Sequence, residues 1–540
     1  MLDLRRIIIL LISAVTLLAG VFTYCFYRNS RVFADYEAFV KQEKKLIADK
    51  DVKILPSRVI SSKTGKTWLD VQKDVKDTVV QVFSQTSEVN LLEPYKTPSQ
   101  NEGAGSGFFI NEKGDFVTNY HVVAQALNVQ IQIPSFGLER FDAEIIGVSP
   151  ERDIALLRLT AESRKKITQK LINIPFLRLG DSDEILRSQE VLALGYPLAQ
   201  FRLKSTLGIV SGRERHGVFG YIQITAPLNP GNSGGPSLNV DGDVIGINTA
   251  MIADAQNVGY IIPINEVKNA LTDLYKVKLL RRPTLGCLFA AATPELVDYL
   301  GNPGDGGWYV VKVFDKTLLH DAGVLDGDML YEINGYRVDM YGEMNVPWSE
   351  DKISLFELLN RLRIGDPMKF MIYRKGQRKI FNFNLELKYT PPVRVVYSEF
   401  EPEMMDYEVI GGMVVMQLTL NHVSKLIQSS PNLIKYMRSD ILHDSALIVT
   451  HVLPNSQARK TRILRPGDIL TEVNGELVES LSDFRKAVKK SLGSGYLTVT
   501  TDEKLYAVLS VYKILKDEDM LSSCFFYKKS KLLEELAKKK

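Results

Sequence analysis

From residue 76 to residue 275 the chain is written in short β-branched runs cut by Gly, Asn, Asp and Pro, and that texture leaves few folds open. Thr78-Val79-Val80-Gln81-Val82-Phe83, Val129-Gln130-Ile131-Gln132-Ile133 and Asp243-Val244-Ile245-Gly246-Ile247 are examples. Branched side chains suit a pleated surface, and turn residues at this spacing divide the chain into many short strands. The segment reads as an all-β barrel or sandwich of about two hundred residues. Past Pro283 the texture becomes mixed β and α, and two segments echo each other. Gly327-Asp328-Met329-Leu330-Tyr331-Glu332-Ile333-Asn334-Gly335 and Gly467-Asp468-Ile469-Leu470-Thr471-Glu472-Val473-Asn474-Gly475 share the pattern Gly-Asp-(apolar)-Leu-x-Glu-(apolar)-Asn-Gly. Each predicts a tight turn, a strand and an Asn-Gly hairpin turn, and each precedes an amphipathic stretch, at 355–362 and 481–488. The second half is a diverged tandem repeat.

A chain of 540 residues has room for three or four domains at roughly 150 residues each. With 45% hydrophobic and 24% charged residues it is neither mostly disordered nor a multi-spanning membrane protein. Lys+Arg 67 against Asp+Glu 64 leaves a net charge of +3, far from the basic excess of a nucleic-acid binder. The three Cys form no CxxC, which excludes a zinc site built on Cys ligands and any need for a disulfide framework. Residues 7–27 carry no charge and follow Arg5 and Arg6, long enough to cross a bilayer as a helix. A retained signal anchor over 1–30 is the expectation, with a cleaved signal peptide as the alternative. Arginines and lysines flank both sides of that run, so charge does not orient it. Residues 31–75 read as a polar, Lys-rich linker with some helix, and residues 516–540 as a basic tail whose end, from Lys528 to Lys540, is a solvated helix end.

Chemistry concentrates in Asn229-Pro230-Gly231-Asn232-Ser233-Gly234-Gly235-Pro236. A Ser between glycines suits a nucleophile on a tight turn, with the N–H groups of Gly231 and Ser233 pointing into one hole for an oxyanion. Alone, such a stretch is more often an ordinary turn. A serine hydroxyl also needs a base, and the chain has six His. His216, His320, His422, His443 and His451 read as surface residues. His121 follows the strand-like Phe116-Val117-Thr118-Asn119-Tyr120 and fits either a base or a structural histidine. Asp153 heads the apolar run Ile154-Ala155-Leu156-Leu157-Arg158-Leu159, where a strand cap is the bland alternative. The order His121, Asp153, Ser233 decides, because three motifs in the His–Asp–Ser order are far more specific than any one.

These motifs resemble the HtrA/Deg family of serine proteases. The resemblance rests on Gly103-Ala104-Gly105-Ser106-Gly107-Phe108-Phe109, Thr118-Asn119-Tyr120-His121-Val122-Val123, Gly195-Tyr196-Pro197, the Ser233 stretch, and Gly246-Ile247-Asn248-Thr249-Ala250. It implies a chymotrypsin-like double β-barrel over 76–277, then two α+β PDZ domains over 280–390 and 391–515. His121 would be the general base, Asp153 its orienting partner and Ser233 the nucleophile, with Gly231, Asn232 and Ser233 at the oxyanion hole. Leu228, Asn248, Thr249 and Ala250 would bound the specificity pocket. No acidic residue stands there, so small or medium aliphatic side chains are expected at the cleavage site. Leu285, Gly286, Cys287 and Leu288 resemble a PDZ carboxylate loop, and Gly411-Gly412-Met413-Val414-Val415 is the second candidate, readable equally as a turn. The family also implies no metal or organic cofactor, a homotrimer or multiple of trimers, and unfolded proteins and peptide C-termini as partners. The site would lie in the periplasm or an equivalent space, anchored by the N-terminal helix. A tethered protease for one substrate, or a latent chaperone or PDZ scaffold, would carry the same motifs.

Overall fold

The computed structural model describes residues 66–249 and 258–538. The expected anchor, most of the linker and Ala250 lie outside the described residues. Among those described, no helix is long and apolar enough to cross a membrane.

Twelve strands form two closed barrels. The first holds β1 (Val79–Glu88), β2 (Ser99–Phe109), β3 (Asp115–Thr118), β4 (Ala126–Gln132), β5 (Arg140–Ser149) and β6 (Ile154–Leu159) in the order β1-β2-β3-β6-β5-β4. The second holds β7 (Glu190–Gly195), β8 (Lys204–His216), β9 (Phe219–Ile224), β10 (Pro236–Leu238), β11 (Val244–Thr249) and β12 (Gly259–Pro263) in the order β10-β11-β12-β9-β8-β7. Runs such as Ile154–Leu159 and Val244–Ile247 lack a polar alternation because both of their faces are buried. Along β6, Ala155, Leu157 and Leu159 fill the first barrel, while Ile154 and Leu156 join Phe108, Leu192 and Ile247 between the barrels. Side chains alternate across a strand, so one run supplies two cores. Each fully buried Leu or Ile contributes about 1.5–3 kcal/mol to this arrangement.

The helix Trp68–Asp74 closes the segment read as a linker with some helix. Thr67 and Asp70 form a capping box at its start, and Val71 and Val75 are buried in the layer between the barrels.

The two repeats fold alike. The first sheet runs Cys287–Ala290, Trp308–Val313, Met329–Ile333, Pro367–Arg374, Gln377–Asn384. The second runs Tyr407–Ile410, Met413–Gln417, Leu447–Val452, Ile469–Val473, Tyr496–Thr501, Tyr506–Ser510. Asn334 and Gly335 have φ of 49° and 91°, and Asn474 and Gly475 of 52° and 78°. Two consecutive positive φ values make each a primed hairpin turn, which is why Asn-Gly stands there twice. The amphipathic stretches form helices Leu355–Arg361 and Leu481–Lys489.

Two expectations fail in the second module. Its C-terminal helices, Val511–Phe525 and Lys531–Lys538, are not a solvated tail, since Leu532, Leu533 and Leu536 are buried in the module's core. His422 is not a surface residue. It is fully buried, with Nδ1 against Thr419 and Nε2 3.2 Å from the carbonyl of Leu91.

Candidate active site

His121 sits on a one-turn helix, Tyr120–Val123, that begins where β3 ends. Asp153 closes the tight turn Pro150–Arg152 just before β6, with φ of 54°. That left-handed backbone is uncommon for a non-glycine residue, and it turns the carboxylate toward the helix. Asp153 Oδ1 accepts the backbone N–H of His121 at 2.9 Å, and Oδ2 lies 2.8 Å from His121 Nδ1. Asn119 Nδ2 donates to the carbonyl of Asp153 at 2.9 Å, tying the two loops together. The carboxylate fixes the imidazole with Nδ1 protonated, so Nε2 presents a free lone pair. Burial pulls the His121 pKa down, but the hydrogen bond and charge of Asp153 outweigh it and hold the value above that of a free histidine.

Ser233 is brought against this helix by close backbone approach. A Cβ on Gly105 would fall 2.7 Å from Val122 and 3.3 Å from the carbonyl of Ser233. A Cβ on Gly234 would fall 2.1 Å from the carbonyl of Ser106, 2.2 Å from Thr118 Oγ1 and 3.0 Å from the N of Asn119. The glycines therefore serve contact as well as turning. Ahead of Ser233, the N–H of Asn232 donates to the carbonyl of Asn229 at 2.9 Å, and Gly231 has φ of 98°. This is a type II turn with Gly at its third position. The carbonyl of Pro230 accepts the N–H of Leu198 at 2.6 Å. In a trans peptide the carbonyl and the N–H point opposite ways, so the N–H of Gly231 faces away from Leu198. Of the three expected oxyanion donors, Asn232 has its N–H used within the turn, which leaves Gly231 and Ser233.

Sequence motifs did not single out Ser106, which organises this turn. Its N–H donates to the carbonyl of Ser233 at 2.9 Å, its Oγ donates to the carbonyl of Gly231 at 2.7 Å, and it accepts the N–H of Tyr196 at 2.9 Å. Its place inside a Gly-x-Gly strand end was the available signal. The expected pocket residues divide. Leu228 packs over Gly259, whose Cβ would fall 3.0 Å from Leu228 Cδ1. Asn248 is fully buried, with its amide on the carbonyls of Leu194 and Pro236 and its Oδ1 on Ser237, so it builds the barrel wall. Thr249 directs its hydroxyl to Asp153 Oδ2 at 3.4 Å, a third donor for that carboxylate.

The two candidate carboxylate loops are structurally equivalent. The carbonyl of Gly286 accepts the N–H of Phe314 and that of Gly412 accepts the N–H of Leu453; the carbonyls of Leu285 and Gly411 accept those of Leu319 and Ala458. A Cβ on Gly286 would fall 2.0 Å from Thr317, and one on Gly412 would fall 2.0 Å from Ser456. Leu285 is buried, Leu288 partly so, and burial pushes the Cys287 thiol far above its ordinary pKa, which makes it a poor nucleophile. The strands that follow differ. Among the described residues Cys287–Ala290 pairs on one side only, whereas Met413–Gln417 is paired on both, because Tyr407–Ile410 folds back along it.

A trypsin-like peptidase domain family matches residues 105–247, and a PDZ domain family matches residues 428–500. The chain is 27% identical over 403 residues to a probable periplasmic serine endoprotease, DegP-like, of Marinomonas sp., covering 73% of this chain and 76% of that one. It is 28% identical over 393 residues to the periplasmic serine endoprotease DegP of Salmonella typhimurium, covering 71% of each. It is 30% identical over 305 residues to the putative serine protease HhoB of Synechocystis sp., covering 53% of this chain and 66% of that one. Among solved structures, the HtrA-type protease AlgW with decapeptide aligns at a TM-score of 0.47 and 23% identity, covering 60% of this chain and all of that one. The chain is a serine endopeptidase of the HtrA/DegP type, with a trypsin-like peptidase domain and a PDZ domain.

Proposed function

We propose that His121, Asp153 and Ser233 work as a catalytic triad on unfolded or damaged proteins. Ser233 Oγ attacks the scissile carbonyl as His121 Nε2 takes its proton. The oxyanion rests on the N–H groups of Gly231 and Ser233, and water then releases the acyl-enzyme. The observation that carries this reading is the two-pronged grip of Asp153 on the backbone and the ring of His121. Leu228 and the absence of acidic residues along Asn248-Thr249-Ala250 favour small or medium aliphatic side chains at the cleaved position. Such side chains are buried in native proteins, so selectivity for unfolded chains follows without a recognition sequence.

Residues 280–390 act as a first PDZ domain in this reading, and it is the one that takes a peptide C-terminus. Its strand Cys287–Ala290 has a free edge for strand addition, which the equivalent strand of the second module lacks. The relatives' periplasmic names support an extracytoplasmic site, and the uncharged run at 7–27 supports tethering by an N-terminal helix. A homotrimer or multiple of trimers completes the proposal. The test is digestion of a permanently unfolded protein by the full chain, with Ser233→Ala in parallel. Cleavage by the wild type alone, with aliphatic residues at the new C-termini, is expected. Cleavage by Ser233→Ala would refute the triad, and inactivity of both would leave a latent scaffold.

A further inference from the structure

The segment between the two repeat modules does more than join them. Residues 395–401 lie against both loops that carry His121 and Asp153. The hydroxyl of Tyr120, the residue before His121, donates to Glu399 Oε1 at 2.5 Å. The same oxygen accepts the N–H of Gln125 at 3.3 Å, just past the C-terminal end of the His121 helix. One carboxylate thus grips the helix at both ends. Around it, the rings of Tyr120 and Tyr397 meet edge to face at 5.7 Å, Gln125 Nε2 donates to Ser398 Oγ at 3.4 Å, and Phe400 packs on the first barrel's core.

The Asp153 loop is reached by a second route. Glu401 pairs with Arg281, whose other nitrogen lies 3.4 Å from Glu151 in the turn Pro150–Arg152 that presents Asp153. Glu151 also accepts the N–H of Arg282 at 2.8 Å. Glu401 is further held by Arg394 at 2.8 Å and by the N–H of Tyr397 at 3.2 Å. On its opposite side the segment belongs to the second module. Asn421 accepts the N–H of Val396 at 2.8 Å and donates to its carbonyl at 3.0 Å. A continuous set of bonds therefore runs from the second module through Val396, Tyr397 and Glu399 to Tyr120 and His121.

We infer that Tyr120, Glu399 and Asn421 are positioning residues, and that the docked connector holds the His121 helix where its imidazole can serve Ser233. The inference rests on the proposed role of His121 as general base. A helix of one turn, Tyr120–Val123, has little stability of its own, and its side chain must stay within about half an ångström of the working geometry. The connector supplies that restraint from outside the peptidase domain.

The test uses the full-length protein, a short chromogenic peptide and a serine-reactive fluorophosphonate, well below each variant's melting temperature. Tyr120→Phe, Glu399→Ala and Asn421→Ala should each lower kcat and the rate of Ser233 labelling by about tenfold or more, with KM within about twofold. Combining Tyr120→Phe with Glu399→Ala should cost no more than the worse single change, as expected for partners in one bond. Glu399→Gln, which still accepts from Tyr120, should recover most of the activity. A merely structural connector would lower the melting temperature and leave kcat and labelling alone, and that result would overturn the inference. Tyr120→Phe removes a single oxygen, so it decides the matter should Glu399→Ala fail to fold. Ser233→Ala and His121→Ala run alongside: inactivity of both keeps the triad reading whatever the connector variants do, and activity in either would overturn both.

Discussion

Gly234→Ala isolates how closely the nucleophile's turn is packed. Gly234 has φ of 86°, and a methyl there would fall 2.1 Å from the carbonyl of Ser106 and 2.2 Å from Thr118 Oγ1. An ordinary contact is about 3.4 Å or more, so the turn must retreat by about 1 Å. Neither neighbour yields readily, since Thr118 is fully buried and its hydroxyl bonds the Ser106 carbonyl at 2.7 Å. The left-handed backbone alone costs an L-residue about 1–2 kcal/mol. Displacement of a reacting group by 1 Å costs about a hundredfold in rate. Gly217 provides the control, with φ of 63° and nothing within 4 Å of its Cβ position. Gly217→Ala should lose about 1 kcal/mol in urea unfolding and keep its kcat, whereas Gly234→Ala should lose more stability and about a hundredfold or more in kcat on the same peptide. Equal kcat in the two variants would refute the claim that contact, and not φ alone, fixes Gly at 234.

Cleavage should rise with pH through an apparent pKa above 6.5, because the base must be neutral and Asp153 raises the His121 value. The same pair contributes stability that is fully present below pH 6.5 and fades as pH climbs through that raised value; Asp153→Asn should abolish both effects and lower kcat by on the order of 10³-fold or more. Glu266 is buried, and that burial pushes its carboxyl up to about 7 despite the charges of Arg152, Arg361 and Arg213. The folded protein therefore holds a proton the unfolded chain releases near 4.5, and stability declines as pH rises through 7. Glu266→Gln should gain at most about 3–4 kcal/mol over wild type at pH 8.5 and almost nothing at pH 4, read by chemical denaturation. Leu533→Ala should cost about 2–3 kcal/mol in the second module's unfolding, where a solvated tail would show no change.

The site could be read in the sequence to the extent that its geometry is local. A tight turn around Ser233, a helix start at His121 and a strand start at Asp153 each leave a motif, and barrel closure brings them together. The Asn-Gly turns and the amphipathic helices after them were visible for the same reason. Residues whose role depends on a distant partner were not. His422 looks like any polar residue early in a helix until Leu91, far away in the chain, covers it. Asn248 stood among the expected pocket residues, and that its amide turns inward was hidden because only the closed barrel supplies the carbonyls it meets. Lysines hid the buried face of the C-terminal helix, although Leu532, Leu533 and Leu536 already had the spacing of one. Nothing in residues 395–401 announces a contact with Tyr120.

That contact spans 279 residues of chain between Tyr120 and Glu399, and the span sets an order of events during synthesis. Every strand of both barrels is complete once Pro263 has been made, while Glu401 follows 138 residues later (401 − 263). At about 5–20 residues per second that interval lasts roughly 7–28 seconds. During it the barrels can close around His121, Asp153 and Ser233 without the connector to brace the histidine. A nascent protease is thus given time to finish its own chain before it is fully able to cut one.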